Sequence, residues 1–133
     1  MRNIRFKLLL VFLVLSAAGL ILWFTAIFRF PFEERKIEIS GKELIVWVAD
    51  THDKRLQGLQ NIIWMPKNRG MLFAFDSADR YCFWNKNTLM PLKLIFMRQG
   101  TVTEEVELMP IWKGKQTVCP RYAVDSVIEV INN

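Results

Sequence analysis

The chain has 133 residues and a formal net charge of +5, with 18 Lys and Arg against 13 Asp and Glu. Four of those basic residues and none of the acidic ones fall in the first 30 positions, so the remainder stands at 14 against 13 and offers no basic stripe for nucleic-acid phosphates. One histidine excludes a multi-histidine metal site; with no Cys-x-x-Cys, glycine-rich phosphate loop or His-Glu-x-x-His, no cofactor or metal is expected.

Leu8 to Phe28, LLLVFLVLSAAGLILWFTAIF, is an uncharged apolar stretch of 21 residues. At about 1.5 Å per residue it spans roughly 30 Å, the hydrocarbon thickness of a bilayer. A cleaved secretory signal cut at Ser16-Ala17-Ala18 is the alternative, but the apolar run continues past Gly19 without a polar break, which favours an uncleaved anchor. No Leu-x-x-Cys precedes the first cysteine, so a lipid anchor there has no support. Arg2, Arg5 and Lys7 precede the segment, whereas Glu33 and Glu34 soon follow Arg29. The basic end is expected in the cytoplasm and the folded domain on the outer side of the cell membrane.

Residues 30–36 read as an interfacial connector and 37–133 as the domain. Ile37 to Ile39, the turn Ser40-Gly41 and Leu44 to Ala49 form a hairpin whose second strand, apolar on both faces, places Trp47 in the core. Thr51 caps a short helix that ends near Gly58, with Leu56 and Leu59 on its inner face and His52 an exposed residue of its first turn. Asn61 to Arg69 is a loop, GMLFAF a strand, and Asp76 to Asp79 a turn into the strand RYCFW. LKLIFM, the turn Gln99-Gly100 and Thr101 to Met109 form a further hairpin, and the closing strand SVIEVIN alternates, pointing Glu129 outward. Seven or so short strands with one or two helical turns predict a mainly β domain, barrel-like so that few edges stay open.

In order and spacing, VADTHDKRLQGLQN, GMLFAF, FWNKNTLMPLKLIFM, CPRY and VIEVINN resemble the family catalogued as domain of unknown function 192. The resemblance implies a small β-barrel-like domain with short helices, often exported, and supplies no reaction. Phe83, Trp84, Lys86, Asn87, Thr88, Pro91, Leu92 and Phe96 fit its central motif, but methionine is usual where Asn85 stands and aspartate where Lys93 stands. A lysine there reverses the charge that carboxylate chemistry would need.

Asn85 to Thr88 read either as a ligand-binding turn beside Trp84 or as side chains tying down loop backbone; Lys86 is the residue better placed to face a ligand. The candidate site is a cleft bounded by Trp84, Lys86, Asn87 and Thr88 and by the loop from Trp64 to Arg69. Trp64 and Trp112, in loops beside prolines, suit either packing or an exposed binding or membrane-facing rim. Cys82 and Cys119 are two buried thiols or a disulfide, which an outward-facing domain could keep.

These readings favour a non-enzymatic binding or interaction module, its partners the bilayer through residues 8–28 and an unidentified small molecule or envelope protein. An envelope-acting hydrolase using Glu129, Asp79 or Asp50 is the alternative, and a structural subunit of a membrane assembly a third.

Overall fold

The computed structural model describes residues 11, 13–20 and 32–132. The chain divides into two units, Met1–Pro31 and Phe32–Asn133. In the first, residues 13–20 are helical. Among the described residues no helix is long and apolar enough to cross a membrane, and most of the expected anchor, 8–28, lies outside them.

The second unit begins earlier than the connector reading allowed, with strand β1 at Glu33–Ile39. Ser40 and Gly41 both have positive φ, 52° and 76°, as a two-residue turn between twisted antiparallel strands requires, and they deliver the chain into β2 at Lys42–Ala49. A helix over His52–Gln57 follows, its first turn capped by the Thr51 hydroxyl accepting from the Lys54 amide at 3.3 Å. Gly58, at φ 49°, ends it. Leu59, past the helix end at Gly58, is buried as expected, whereas Leu56 on the helix is exposed.

Strand β3 runs over Arg69–Asp79, absorbing the expected turn at Asp76 to Asp79 as a register irregularity between Ala74 and Asp79. The chain continues through β4 (Phe83–Trp84), β5 (Leu92–Arg98), β6 (Thr101–Leu108), a single 3-10 turn at Ile111–Lys113, β7 (Thr117–Val118) and β8 (Val124–Ile131).

Six strands form one sheet in the order β1-β2-β3-β8-β5-β6, and β4 pairs with β7 separately. Among the described residues only β2 and β3 pair in parallel, the helix between them serving as the crossover. The barrel expectation is corrected here: β1 and β6 end the order without pairing to each other, so the sheet is open.

The register sorts side chains onto two faces. Leu44, Val46, Ile95, Met97 and Ile128 form a buried cluster on one, with Ile37, Ile39, Leu72, Val102 and Val130 packed against it. Met71, Phe73, Leu94, Phe96, Val127 and Glu129 occupy the other, beneath Leu59, Ile62, Met65 and Phe83. Phe83 meets Phe73 edge-on at 4.9 Å and Phe96 at 6.0 Å. Each such fully buried side chain contributes about 1.5–3 kcal/mol. Covering both faces of β8 turns Glu129 inward; the outward expectation fails because alternation identifies two faces without saying that either is wet.

Candidate functional site

The site grows from the stretch after Cys82. Phe83 points into the second face, so Trp84, next along the strand, points out and is 53% exposed. In the β4–β7 ribbon Phe83 faces Val118 and Trp84 faces Thr117; the next rung down is Cys82 opposite Cys119. Those two cysteines form a disulfide with their Cα atoms 4.2 Å apart, and both are exposed. Bridging residues 37 apart in sequence restricts the unfolded chain by about 4 kcal/mol.

Asn85 turns inward and is buried. Its Nδ2 donates to the carbonyls of Met109 at 2.9 Å and Gly114 at 2.7 Å, and its Oδ1 accepts from the Gln116 amide at 2.9 Å. Asn85 thus clamps the loop over residues 109–116. Replacing Asn85 with Ala should cost about 2 kcal/mol in denaturant unfolding, because one buried donor and two acceptors lose their partner.

Asn87 adopts φ 51°, a conformation asparagine tolerates, and its Nδ2 donates to Gln60 Oε1 at 3.2 Å. Its carbonyl accepts from the Asn61 amide at 2.9 Å, and the Thr88 carbonyl accepts from the Ile111 amide at 2.8 Å. Asn87 and Thr88 therefore join three loops. Lys86 is exposed, with Nζ 5.3 Å from the Trp84 ring centroid.

Among the described residues, three hollows have Trp84 as a wall. A groove of about 510 Å³ runs between the helix and β3, past His52, Arg55, Leu56, Phe75 and Tyr81. A second, of about 480 Å³, lies between Asn85 to Asn87 and Ile111. The third is a crevice of about 30 Å³ reaching past Gly58, Lys86 and Thr88 to Glu129. Arg55 is fixed in the groove wall by Nη1 donating to the carbonyls of Asp50 and Ala74, each at 2.8 Å, and it lies over the Phe75 ring. Phe75 and Tyr81 stack at 3.6 Å, and the Tyr81 hydroxyl donates to the Ser77 carbonyl at 2.9 Å.

Glu129 is 5% exposed, and burial alone pushes its carboxyl up to about 8, so near neutral pH it carries a proton. A neutral carboxyl at the end of a crevice can donate a hydrogen bond or a proton.

The structure does not bring all the expected residues together. Arg69 pairs with Glu34 and lies 5.9 Å from the Trp47 ring centroid, and the guanidinium holds the Glu34 carboxyl below its usual range. Trp47 is half-buried, not central: its Nε1 donates to Glu34 at 3.1 Å. Trp64 is exposed and lines none of the three hollows. Lys93 lies on the opposite face from Glu129, its Nζ 3.1 Å from Glu105. Arg55, Phe75, Tyr81 and Glu129 are what the sequence reading left out of the cleft; the apolar run of GMLFAF and the lone acid in SVIEVIN were its signals.

A mixed open sheet with a helical crossover on one side and an aromatic-walled groove beside a short disulfide-closed ribbon defines a small mainly β module. Residues 35–133 match the profile of DUF192, described as "Uncharacterized ACR, COG1430", and the chain belongs to that family. No curated protein matches it. It is similar to a crystal structure from Sinorhizobium meliloti 1021 put forward as a transcription regulator, at 28% identity and TM-score 0.68, over 77% of this chain and 83% of that one. A protein of unknown function from Novosphingobium aromaticivorans DSM 12444 shares the fold at 19% identity and TM-score 0.62, over 76% of this chain and 82% of that one.

Proposed function

We propose that this protein is a single-pass membrane-anchored module whose outward domain binds a small molecule at Trp84. Residues 8–28 hold it in the cell membrane with the N-terminus cytoplasmic. The exposed Cys82–Cys119 bridge supports an oxidising compartment for the domain. The observation that carries the binding reading is the sharing of Trp84 by three hollows, one of which ends on the Glu129 carboxyl. A ligand with a flat or apolar body fits the Trp84 face and the Phe75–Tyr81 stack, with an acceptor directed at the proton of Glu129.

The test is affinity capture of the full-length protein from membranes, beside the Trp84→Ala/Lys86→Ala variant, read by mass spectrometry for small molecules. A compound held by the wild type and lost from the folded variant supports the reading. Equal recovery from both sinks it.

A hydrolase reading rests on Glu129 as a proton donor. It needs a second carboxylate, and the two considered with it are engaged elsewhere: Asp50 pairs with Lys54 at 2.8 Å and Asp79 accepts from the Arg80 amide at 2.7 Å. Binding without turnover is the reading we retain.

A further inference from the structure

We propose that the loops at residues 58–68, 84–91 and 109–116 form a docking surface for an anionic lipid bilayer. The surface shares Trp84 and Lys86 with the site proposed above, and its test therefore uses other residues. Seven large apolar side chains remain exposed between residues 32 and 132, and five of them, Ile63, Trp64, Trp84, Met109 and Trp112, belong to these three segments. Ile63, Trp64 and Trp112 are 74%, 73% and 64% exposed. Backbone hydrogen bonds set the loops side by side, from Asn61 to Asn87 at 2.9 Å and from Ile111 to Thr88 at 2.8 Å.

Charge selects the occupant. The three segments contain four exposed lysines, Lys67, Lys86, Lys113 and Lys115, and no Asp or Glu, although the chain after residue 30 taken as a whole is nearly balanced at 14 basic against 13 acidic residues; Lys86, Lys113 and Lys115 carry the charge of this face, because Lys67 lines a separate hollow with Glu43 and Glu105. That local excess cancels in the totals and is invisible in net charge. Exposed indoles interleaved with lysines suit a headgroup layer, where the rings settle at the interface and the ammonium groups meet lipid phosphates. A protein partner fits less well, because the centres of protein interfaces are depleted in lysine. Nucleic acid would leave the aliphatic Ile63 and Met109 without a use.

The test uses the full chain, carrying Trp23→Phe to silence the indole of the apolar segment, reconstituted in phosphatidylcholine discs with or without phosphatidylglycerol. Lipid brominated on its acyl chains quenches tryptophans that enter the interface. In one arm the brominated lipid is in the disc, and in the other it is in separate vesicles, which reports docking onto a facing bilayer. We expect quenching with phosphatidylglycerol in one arm, weakened about tenfold in lipid affinity by Lys113→Glu/Lys115→Glu. Fractional quenching should also drop in Trp64→Gln/Trp112→Gln, with near-UV circular dichroism confirming that both variants remain folded. No quenching in either arm, or quenching indifferent to phosphatidylglycerol and to the charge reversal, overturns the proposal. A protein captured on this surface while the lipid arms stay silent overturns it as well.

Discussion

Between about pH 4.5 and about pH 8 the domain should lose stability steadily, because Glu129 keeps its proton in the folded state over that window and gives it up on unfolding. Below the window this carboxyl is protonated in both states and its contribution to stability is at its greatest. Within it the unfolded chain binds fewer protons than the folded one, so each rise in pH favours unfolding by about 1.4 kcal/mol per unit. Above about 8 the folded carboxyl also ionises and the loss is complete, on the order of 5 kcal/mol if the crevice admits no water to relax it. Urea unfolding across this range should show the slope in the wild type and a nearly flat profile in Glu129→Gln, with the variant the more stable of the two in the alkaline limb. Parallel profiles would mean that the carboxyl is solvated and the crevice open.

The second large effect is expected at Gly70, which pairs with Val130 where β3 meets β8. A Cβ there would lie 2.5 Å from the Glu129 carbonyl oxygen and 3.0 Å from Val130 Cγ1. The nearer contact is backbone, so no rotamer change relieves it, and the two central strands must separate. Gly70→Ala should destabilise the domain by about 3 kcal/mol in denaturant unfolding. It should also flatten the pH profile, since parting the strands beside Glu129 lets water reach the carboxyl. A cost within about 0.5 kcal/mol would place the strands farther apart than described here.

The sequence was most readable where one periodicity and one turn agreed. Ser40-Gly41 and Gln99-Gly100 mark their hairpins because both turns require positive φ, and the strands on either side form close to where alternation places them. Sheet closure was not readable, because whether β1 meets β6 depends on contacts between segments about 60 residues apart. RYCFW carries strand composition, yet two residues pair, since β7 offers a partner of the same length.

The site divides the same way. Trp84 and Lys86 were recognisable as an aromatic and a cation on one exposed stretch. Arg55 became a groove wall through the carbonyl of Ala74, a tertiary contact that no spacing announces. The inward turn of Glu129 has a related cause: alternation puts a single acid on one face of its strand, and the chain segment that covers that face lies far away in sequence.

The strand order bears on how such a domain is made. β8, last of the eight in sequence, lies between β3 and β5 at the middle of the sheet. Until it emerges, the β1-β2-β3 and β5-β6 halves have exposed inner edges and nothing to join them. Formation of the six-stranded sheet must therefore await residues Val124–Ile131. For the exported domain proposed above, that order of assembly would keep the chain threadable through a narrow channel until the segment that carries Glu129 emerges.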